Sequence, residues 1–589
     1  MATEHTVESL NREIAEVSAL FNDARKQGAD VAIVEEHKQK LAELKRTLGK
    51  LHGASSKDAG KKKERLLLKT AKGTRDFGPG EMHCREHIER IVKDCFTTYG
   101  GSCLDTPVFE RKDVLTGKYG EDAKLIFDLK DQGGEELALR YDHTVPLARY
   151  LAMNGGIIQA KLWQVGKVYR RDNPVMSKGR MREFSQADFD IAGSYDVMIP
   201  DAEVISLVCT ILTRLEVGDF TIKVNHRKIL DGIFEVCGVP PEKIRQISSA
   251  VDKLDKLPWA EVKEEMTATK GLDPAVADKI GEYVKHKGTL IHGGPELLDT
   301  LRQDSALMAN PSAKLGIDEM GHLFTYLQAY HVIPRISFDM SLARGLDYYT
   351  GIIYEAITEA SAPPGFSAAN AFASSSTPTP APTHKDKKKP KKEKAGEDGE
   401  EEEEVDESTV GVGSIAAGGR YDNLVGMFTA AAAGEGKKAQ QLPCVGVSFG
   451  LDRVFAILWP KWVERGMRSK DTMAYVMAAG DGLLTERVQL VQELRAAGVK
   501  TDFMFKRKPK LPAQFDAGER DEAPFAIILG PDELKEGLVR VKEQKWEFVD
   551  GKKTKVKASD DGVKIKRSEL VDWIKNTSVY QSWATGKLI

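Results

Sequence analysis

Tyr169-Arg170-Arg171-Asp172-Asn173-Pro174, separated by three residues from Lys178-Gly179-Arg180-Met181-Arg182-Glu183-Phe184, is the stretch on which the reading of this chain turns. The run Ala160–Tyr169 has the texture of a strand, Pro174 and Gly179 mark a loop, and a second strand leaves at Phe184 and covers Asp188–Ile191. Several guanidinium groups therefore converge on one strand-to-strand connection. Arginine offers planar, bidentate donors, which suits a polyphosphate. An Arg-rich loop alone fits a solvated surface equally well, so the assignment needs context.

Three further stretches supply it. In Val445-Gly446-Val447-Ser448-Phe449-Gly450-Leu451-Asp452-Arg453, small residues alternate with large ones before an arginine opens a helical run. Glycine at that spacing lets a flat ligand lie against backbone, although it also marks bulges and tight packing. Arg344-Gly345-Leu346-Asp347-Tyr348-Tyr349-Thr350-Gly351 reads as the lining of a polar pocket or as a hairpin corner with packed tyrosines. Arg140-Tyr141-Asp142-His143-Thr144 places an acid and a hydroxyl at the end of the strand Leu137–Arg140, where ligands commonly meet sheets.

Outward from these stretches, 589 residues exceed what one hydrophobic core supports, so three or four modules are expected. Hydrophobic content of 41%, charged content of 30% and a net charge of -3 describe a water-soluble chain without a uniformly basic shell. A local basic stripe remains enough to hold nucleic acid. No apolar run approaches a membrane span. Near the N-terminus Glu4, Glu8, Glu13 and Glu16 outnumber Arg12, unlike a transit or signal peptide. Cys84, Cys95, Cys103, Cys209, Cys237 and Cys444 form no Cys-x-x-Cys pair, so reduced thiols are expected rather than a zinc site or disulfides.

Val7, Leu10, Ile14, Val17 and Phe21, then Val34, Leu41, Leu44 and Leu48, give two apolar stripes around a break at Gly28-Ala29-Asp30. A helical hairpin is expected over 1–51 and a flexible linker over 52–69. A helix is expected from Glu81 to Tyr99. The mostly helical stretch 218–332 carries no motif tied to chemistry and reads as an insertion. Residues 359–409 run from a Ser/Ala/Pro/Thr tract through Lys385–Lys394 into an acidic block, a composition expected to stay disordered. The lysines read either as a nucleic-acid or targeting arm or, given the acids beside them, as a self-compensating surface loop. From 470 to 589, strands at Met473–Met477, Thr501–Phe505 and Phe525–Leu529 alternate with helical patterns such as Glu486–Ala496. That alternation implies a small α/β domain with a largely parallel sheet.

Taken together these elements resemble the histidyl-tRNA synthetases, of the eukaryotic cytosolic type. The resemblance covers nearly everything from Thr70 to the C-terminus. The helix ending near Tyr99, with the strand and Pro107, resembles the dimer-forming first motif of class II synthetases; Tyr169–Asp190 resembles the second and Val445–Arg453 the third. Arg344–Gly351 and Ala417-Gly418-Gly419-Arg420-Tyr421-Asp422 resemble two histidine-specific signatures. Residues 1–51 resemble the helical-hairpin (WHEP-like) appendix of several eukaryotic synthetases. The fold implied is an α/β multidomain protein. Its class II antiparallel core occupies 70–217, 333–358 and 410–467, with the insertion domain at 218–332 and an anticodon-binding domain at 470–589.

The resemblance also implies roles. Arg170 and Arg344 would act on the α-phosphate of ATP as the catalytic pair. Asp172 would meet the adenine amino group, Phe184 would stack on the ring, and Arg180 and Arg453 would hold the terminal phosphates. Asp142, Thr144 and Gln186 would bind the amino end of histidine, and Asp190 and Tyr349 would read its imidazole with Tyr348 close by. ATP enters as a substrate with Mg2+ on its phosphates, no metal being expected on the protein's own ligands. The partners implied are L-histidine, tRNA(His) and a second copy of the chain, with no membrane. The implied location is the cytoplasm, with an alternative start as the source of any mitochondrial form. Lys506, Arg507, Lys508 and Lys510 form a basic run in the C-terminal unit that suits RNA. The chain departs from the family pattern at His143, Ser185 and Ala187, which touches the shape of the pocket but removes no proposed contact.

Two rivals follow the same motifs. Class II enzymes for proline, threonine, glycine or serine share the second and third motifs but not the tyrosine-bearing Arg344 segment. Non-catalytic relatives regulate histidine biosynthesis or sense tRNA beside a kinase; the former lack an anticodon domain and the latter carry the kinase. A class I enzyme is disfavoured: Val175-Met176-Ser177-Lys178-Gly179 faintly resembles its lysine loop, but no His-x-Gly-His lies upstream.

Overall fold

The computed structural model describes residues 7–26, 31–59, 68–130, 133–255, 257–289, 294–343, 348–358, 413–433, 440–465, 467, 470–549, 552–556 and 562–584. The expectations for Arg344 and for the charged insert 359–409 fall outside them. The chain divides into two units, Met1–Thr70 and Ala71–Ile589.

The first unit is a pair of helices, Val7–Lys26 and Val31–Ala59, packed against each other. Leu10 and Val17 are its buried anchors on the first helix. The second helix runs through Ala59, so the linker expected over 52–69 begins later than its composition suggested. No proline interrupts the run, and its two glycines, Gly49 and Gly53, each cost only about 1 kcal/mol relative to alanine.

In the second unit the strands, in chain order, are β1 Ser102–Cys103, β2 Phe109–Arg111, β3 Leu137–Leu139, β4 Gln159–Tyr169, β5 Glu183–Gly193, β6 Phe220–His226, β7 Lys287–Thr289, β8 Ile336–Asp339, β9 Ile352–Thr358, β10 Ala416–Arg420 and β11 Cys444–Gly450. Nine of them form one sheet in the order β1-β4-β5-β11-β10-β9-β6-β8-β7, and β2 pairs with β3 separately. The six central strands β4 to β6 are antiparallel throughout; parallel pairs occur only at β1–β4 and β6–β8.

The period of two along β5 sorts this sheet into a packing face and a working face. Ala187, Phe189 and Ile191 belong to the apolar core with Cys84, Ile88, Val92 and Phe96 of the helix Pro79–Thr98. The Phe189 and Phe96 rings lie 5.4 Å apart. Helix Ile199–Arg214 joins the same core through Val204, Ile205, Val208 and Ile211. The alternate positions Phe184, Gln186, Asp188 and Asp190 share the other face.

The stretch 218–332, expected to be mostly helical, also supplies strands, one at its start and one in its interior. β6 and β7 belong to the central sheet, and the helical block begins at Arg227. Its helices start where short polar side chains accept the first free N–H groups: Asp273 from Ala275 (2.7 Å), Asp304 from Ala306 (3.0 Å) and Asn310 from Ala313 (3.0 Å).

The C-terminal strands are β12 Ala474–Ala478, β13 Thr501–Phe503, β14 Phe525–Leu529, β15 Leu538–Glu543, β16 Trp546–Val549, β17 Lys552–Lys555 and β18 Val563–Lys566. Five make a second sheet, β13-β12-β14-β15-β18, while β16 and β17 form a hairpin. The expected parallel sheet holds for β13, β12 and β14 only; β15 and β18 are antiparallel. The connection from Gly530 to Gly537 is shorter than the dozen or so residues a parallel crossover needs, so β15 must turn back. No helix among the described residues is long and apolar enough to cross a membrane.

Candidate active site

On the working face the structure forms a cavity of about 650 Å³. Eight of the twelve residues singled out from the sequence line it: Asp142, Thr144, Arg170, Phe184, Gln186, Tyr348, Tyr349 and Arg453. They arrive from four separate stretches of chain. Asp172, Arg180 and Asp190 are not on the lining, and Arg344 is outside the described residues.

Arg170 ends the long hairpin of β4 and β5. Its guanidinium lies 4.2 Å from the centre of the Tyr141 ring and 5.1 Å from that of Phe184. Its Nε donates to the Tyr141 carbonyl (3.2 Å) and its Nη2 to Gln186 Oε1 (3.3 Å). Gln186 passes the chain on, donating from Nε2 to Asp188 Oδ1 at 2.9 Å, and Ser448 Oγ donates to Asp188 Oδ2 at 2.7 Å. Arginine, amide, carboxylate and hydroxyl thus orient one another, which fixes Arg170 without consuming all of its donors.

On this lining at Asp142, and behind it at Asp188 and Asp190, sit carboxylates taken out of water. Asp142 accepts from the Tyr119 hydroxyl (2.8 Å), the Tyr348 hydroxyl (3.3 Å) and the Val145 N–H (3.2 Å), yet burial still raises its pKa. Burial, and then the neighbouring Asp190, push Asp188 well above the usual carboxylate range. Asp190 is raised to about 7 by burial, the Tyr421 hydroxyl at 2.5 Å opposing the shift and the Asp142 charge adding to it. A floor of this kind attracts cationic or N–H-rich groups, while Arg170 and Arg453 offer the opposite polarity on the lining.

Gly446 makes the placement of Asp190 possible. The two residues face each other across β5 and β11, and a Cβ on Gly446 would lie 1.7 Å from Asp190 Oδ1. The glycine spacing of this strand therefore serves a carboxylate of the protein at 446, while Gly450 lines the cavity. Arg453 rides on the first turn of the helix Leu451–Glu464 and donates to the Ser414 carbonyl at 2.6 Å. Gly179, with φ of +68°, brings the arginine loop onto that same turn: a Cβ there would meet the Asp452 carbonyl at 2.4 Å. Within the loop Arg180 is ion-paired with Asp172, so two residues expected to touch different parts of ATP hold each other here.

Asp452 ties the layers together. It accepts from Arg85 of the helix Pro79–Thr98 and from the Ser185 N–H (2.7 Å), and Arg85 also donates to Ser185 Oγ (3.0 Å). Ser185 and Ala187 lie on the packing face, so these two departures from the family pattern act away from the cavity. His143 is buried, with Nε2 3.3 Å from the Gln186 carbonyl, and burial lowers its pKa to about 3, leaving it neutral.

Sequence reading missed several residues. Asp188 was legible, because positions 186, 188 and 190 of one buried strand must share a face. Tyr421 lay inside a quoted motif but received no role. Arg227, Arg245, Gln246 and Ser249 of the helical block also line the cavity. The short helix Ile244–Val251 buries Ile247, Ala250 and Val251 and turns its polar side to the site, a pattern indistinguishable from an ordinary solvated face.

Comparisons with known proteins bear on this geometry. Residues 73–364 match the family model described as histidyl-tRNA synthetase, and residues 473–577 match the one described as anticodon binding domain. The chain is 46% identical to a histidine–tRNA ligase of Danio rerio over 92% of its own length and 93% of that protein. It is 47% identical to a mitochondrial histidine–tRNA ligase of Saccharomyces cerevisiae over 87% of each. Among solved structures, histidyl-tRNA synthetase from Nostoc sp. PCC 7120 superposes with a TM-score of 0.64 at 26% identity, covering 87% of this chain and 99% of that one.

Proposed function

The chain belongs to the histidyl-tRNA synthetase family, and from that premise we propose how its residues carry out the activity of a histidine–tRNA ligase. The enzyme activates L-histidine with ATP and transfers it to the 3′ end of tRNA(His). The observation that carries the residue-level reading is the convergence of eight of the twelve expected side chains, from four separate stretches, on one cavity.

The histidine carboxylate attacks the α-phosphorus in line; a new O–P bond forms and pyrophosphate leaves. The carboxylate is already ionised, so no strong base is needed, and the work lies in positioning and charge neutralisation. Arg170, held by Gln186 and Tyr141, is assigned to the α-phosphate with Arg344 opposite it. Phe184 stacks on adenine and Asp172 meets its amino group; Arg180 and Arg453 take the terminal phosphates, which requires Arg180 to leave Asp172. Asp142, Thr144 and Gln186 receive the amino end. Asp190, steadied by Tyr421, and Tyr349 read the imidazole, with Tyr348 fixing Asp142 beside them. In the second step the terminal ribose hydroxyl attacks the adenylate carbonyl and AMP leaves.

Magnesium is assigned to the phosphates of ATP. Among the described residues no group of three or more His, Cys, Asp or Glu side chains is arranged to hold a metal, and no step above runs through one. The module boundaries follow the sequence reading, with the core at 70–217, 333–358 and 410–467 and with β6 and β7 added to its sheet. A homodimer joined through the Pro79–Thr98 region, a cytoplasmic location and an alternative start for a mitochondrial form complete the proposal. Twice the monomer mass in sedimentation supports the dimer, and a fully active monomer rejects it.

The test is amino-acid-dependent exchange of labelled pyrophosphate into ATP, without tRNA, across all twenty amino acids. Exchange with histidine alone supports the pocket assignment. Exchange with another amino acid overturns it, and silence from a folded protein moves the reading to a non-catalytic relative.

A further inference from the structure

Phe505, 80% accessible, is the most exposed of the aromatic side chains described, and the other aromatic side chains described in its domain are packed or partly covered. Its position is fixed rather than accidental. The Lys506 N–H donates to the Met504 carbonyl at 2.8 Å, a three-residue turn with Phe505 at its apex. The turn is held from below by Arg487, which is fully buried. The guanidinium donates to the carbonyls of Gly482 (2.7 Å), Met504 (2.9 Å), Lys506 (2.7 Å) and Arg507 (3.4 Å). Gly482, at φ +90°, lets the Arg507 carbonyl approach to where a Cβ would sit, 2.2 Å away. Phe503 supports the Phe505 ring from one side, centroids 5.0 Å apart in a T-shaped contact.

A buried, carbonyl-bound arginine is a costly way to hold a surface turn unless the turn has work to do. Around the raised ring, Lys506, Arg507, Lys508 and Lys510 are all exposed, with Asp481 paired to Lys508 at 3.0 Å. An aromatic face surrounded by cations suits a nucleobase next to its own phosphates. A protein partner of comparable fit would need an acidic rim around an apolar socket.

We propose that Phe505 is a stacking platform for an unpaired base in a single-stranded loop of the transfer RNA, with Arg487 as the residue that positions it. The proposal rests on the family reading for its partner but on none of the cavity residues. Stacking uses the π-face, so it tolerates any aromatic ring and fails with an aliphatic side chain of similar area.

The experiment measures the affinity of the full-length protein for a tRNA(His) transcript and for an acceptor-stem minihelix annealed from two separate strands, and so without a loop, with histidine-dependent pyrophosphate exchange run on the same preparations. Phe505→Ala and Phe505→Leu are expected to weaken transcript binding by roughly 10- to 100-fold, Phe505→Trp to retain it, and none to alter minihelix binding or exchange. Wild-type affinity in Phe505→Ala overturns the proposal, as does full rescue by Phe505→Leu, which would indicate buried area rather than stacking. Equal losses on transcript and minihelix also overturn it, since the minihelix has no such loop. Absence of exchange in the wild type would refute the catalytic reading separately, leaving the binding comparison to stand or fall alone.

Discussion

The two sheets of this protein spend burial in opposite ways. In the central sheet, β5 sends Ala187, Phe189 and Ile191 into the core and puts Gln186 on the cavity lining, with Asp188 and Asp190 buried on the same strand face behind it. In the C-terminal sheet, β12 and β14 bury apolar residues on both faces: Val476 and Ile527 belong to one cluster, Met477 and Ala526 to the other. Its features suited to recognition sit at the strand ends, around Phe505 and the lysines. Chemistry needs desolvated charge and therefore accepts a less stable sheet face, whereas recognition of a large partner needs reach and can leave the sheet apolar.

The comparison breaks first at Asp190. Asp190→Ala is expected to lower histidine-dependent exchange by about three orders of magnitude or more while ATP binding largely survives, because an unfilled polar partner is what enforces selectivity. Wild-type-like exchange would remove Asp190 from the site. Gly446→Ala comes next: its methyl must displace the Asp190 carboxylate. A rise in histidine KM of roughly a hundredfold is expected, with a lowered melting temperature and little change in KM for ATP.

The pH response sharpens the same point. With the Asp190 pKa near 7, the native carboxyl keeps its proton between about pH 4 and 7 while the unfolded chain has released it. Stability therefore falls as pH rises through that window, by up to about 4 kcal/mol at about 1.4 kcal/mol per unit. Asp190→Asn is expected to melt higher than wild type at pH 8, with the gap closing toward pH 4. Histidine affinity in the wild type should run the other way, weakening up to about tenfold per unit below pH 7 as the acceptor is protonated. Calorimetry across pH and the pH profile of the histidine KM decide both.

On the recognition side, Arg487→Met is expected to destabilise the C-terminal sheet by about 2–3 kcal/mol and to weaken tRNA binding without touching exchange. The smallest expected effect belongs to the separate N-terminal unit. Removing residues 1–59 should leave exchange within about twofold of wild type; a large loss would mean that the hairpin supports the site.

Legibility in the sequence followed the same division. The long hairpin of β4 and β5, the third-motif strand and most of the cavity lining were readable because period-two burial and clustered arginines are local signals. The sheet order was not, since β5 pairs with β11 across a gap that no local pattern spans. The polar wall from the helix Ile244–Val251 was invisible because an amphipathic helix looks the same whether its wet side faces bulk water or a cavity. The turn-back of β15 was countable from its short connection. The Arg487 cradle was not, because a fully buried arginine defies the usual rule for that residue.

The pairing of Arg85 with Asp452 has a consequence for how the protein is made. The partners are 367 residues apart in sequence, and the neighbour of β5 on the same side arrives only with β11. At ribosomal speeds of about 5–20 residues per second, the arginine waits roughly 20–70 s for its partner to be synthesised and the open edge of β5 roughly 13–50 s for β11. The catalytic body is therefore a late-closing structure: its middle is translated first and sealed last. Substitutions that weaken Asp452 should show up as poor yield from the cell before they appear as poor catalysis in the tube.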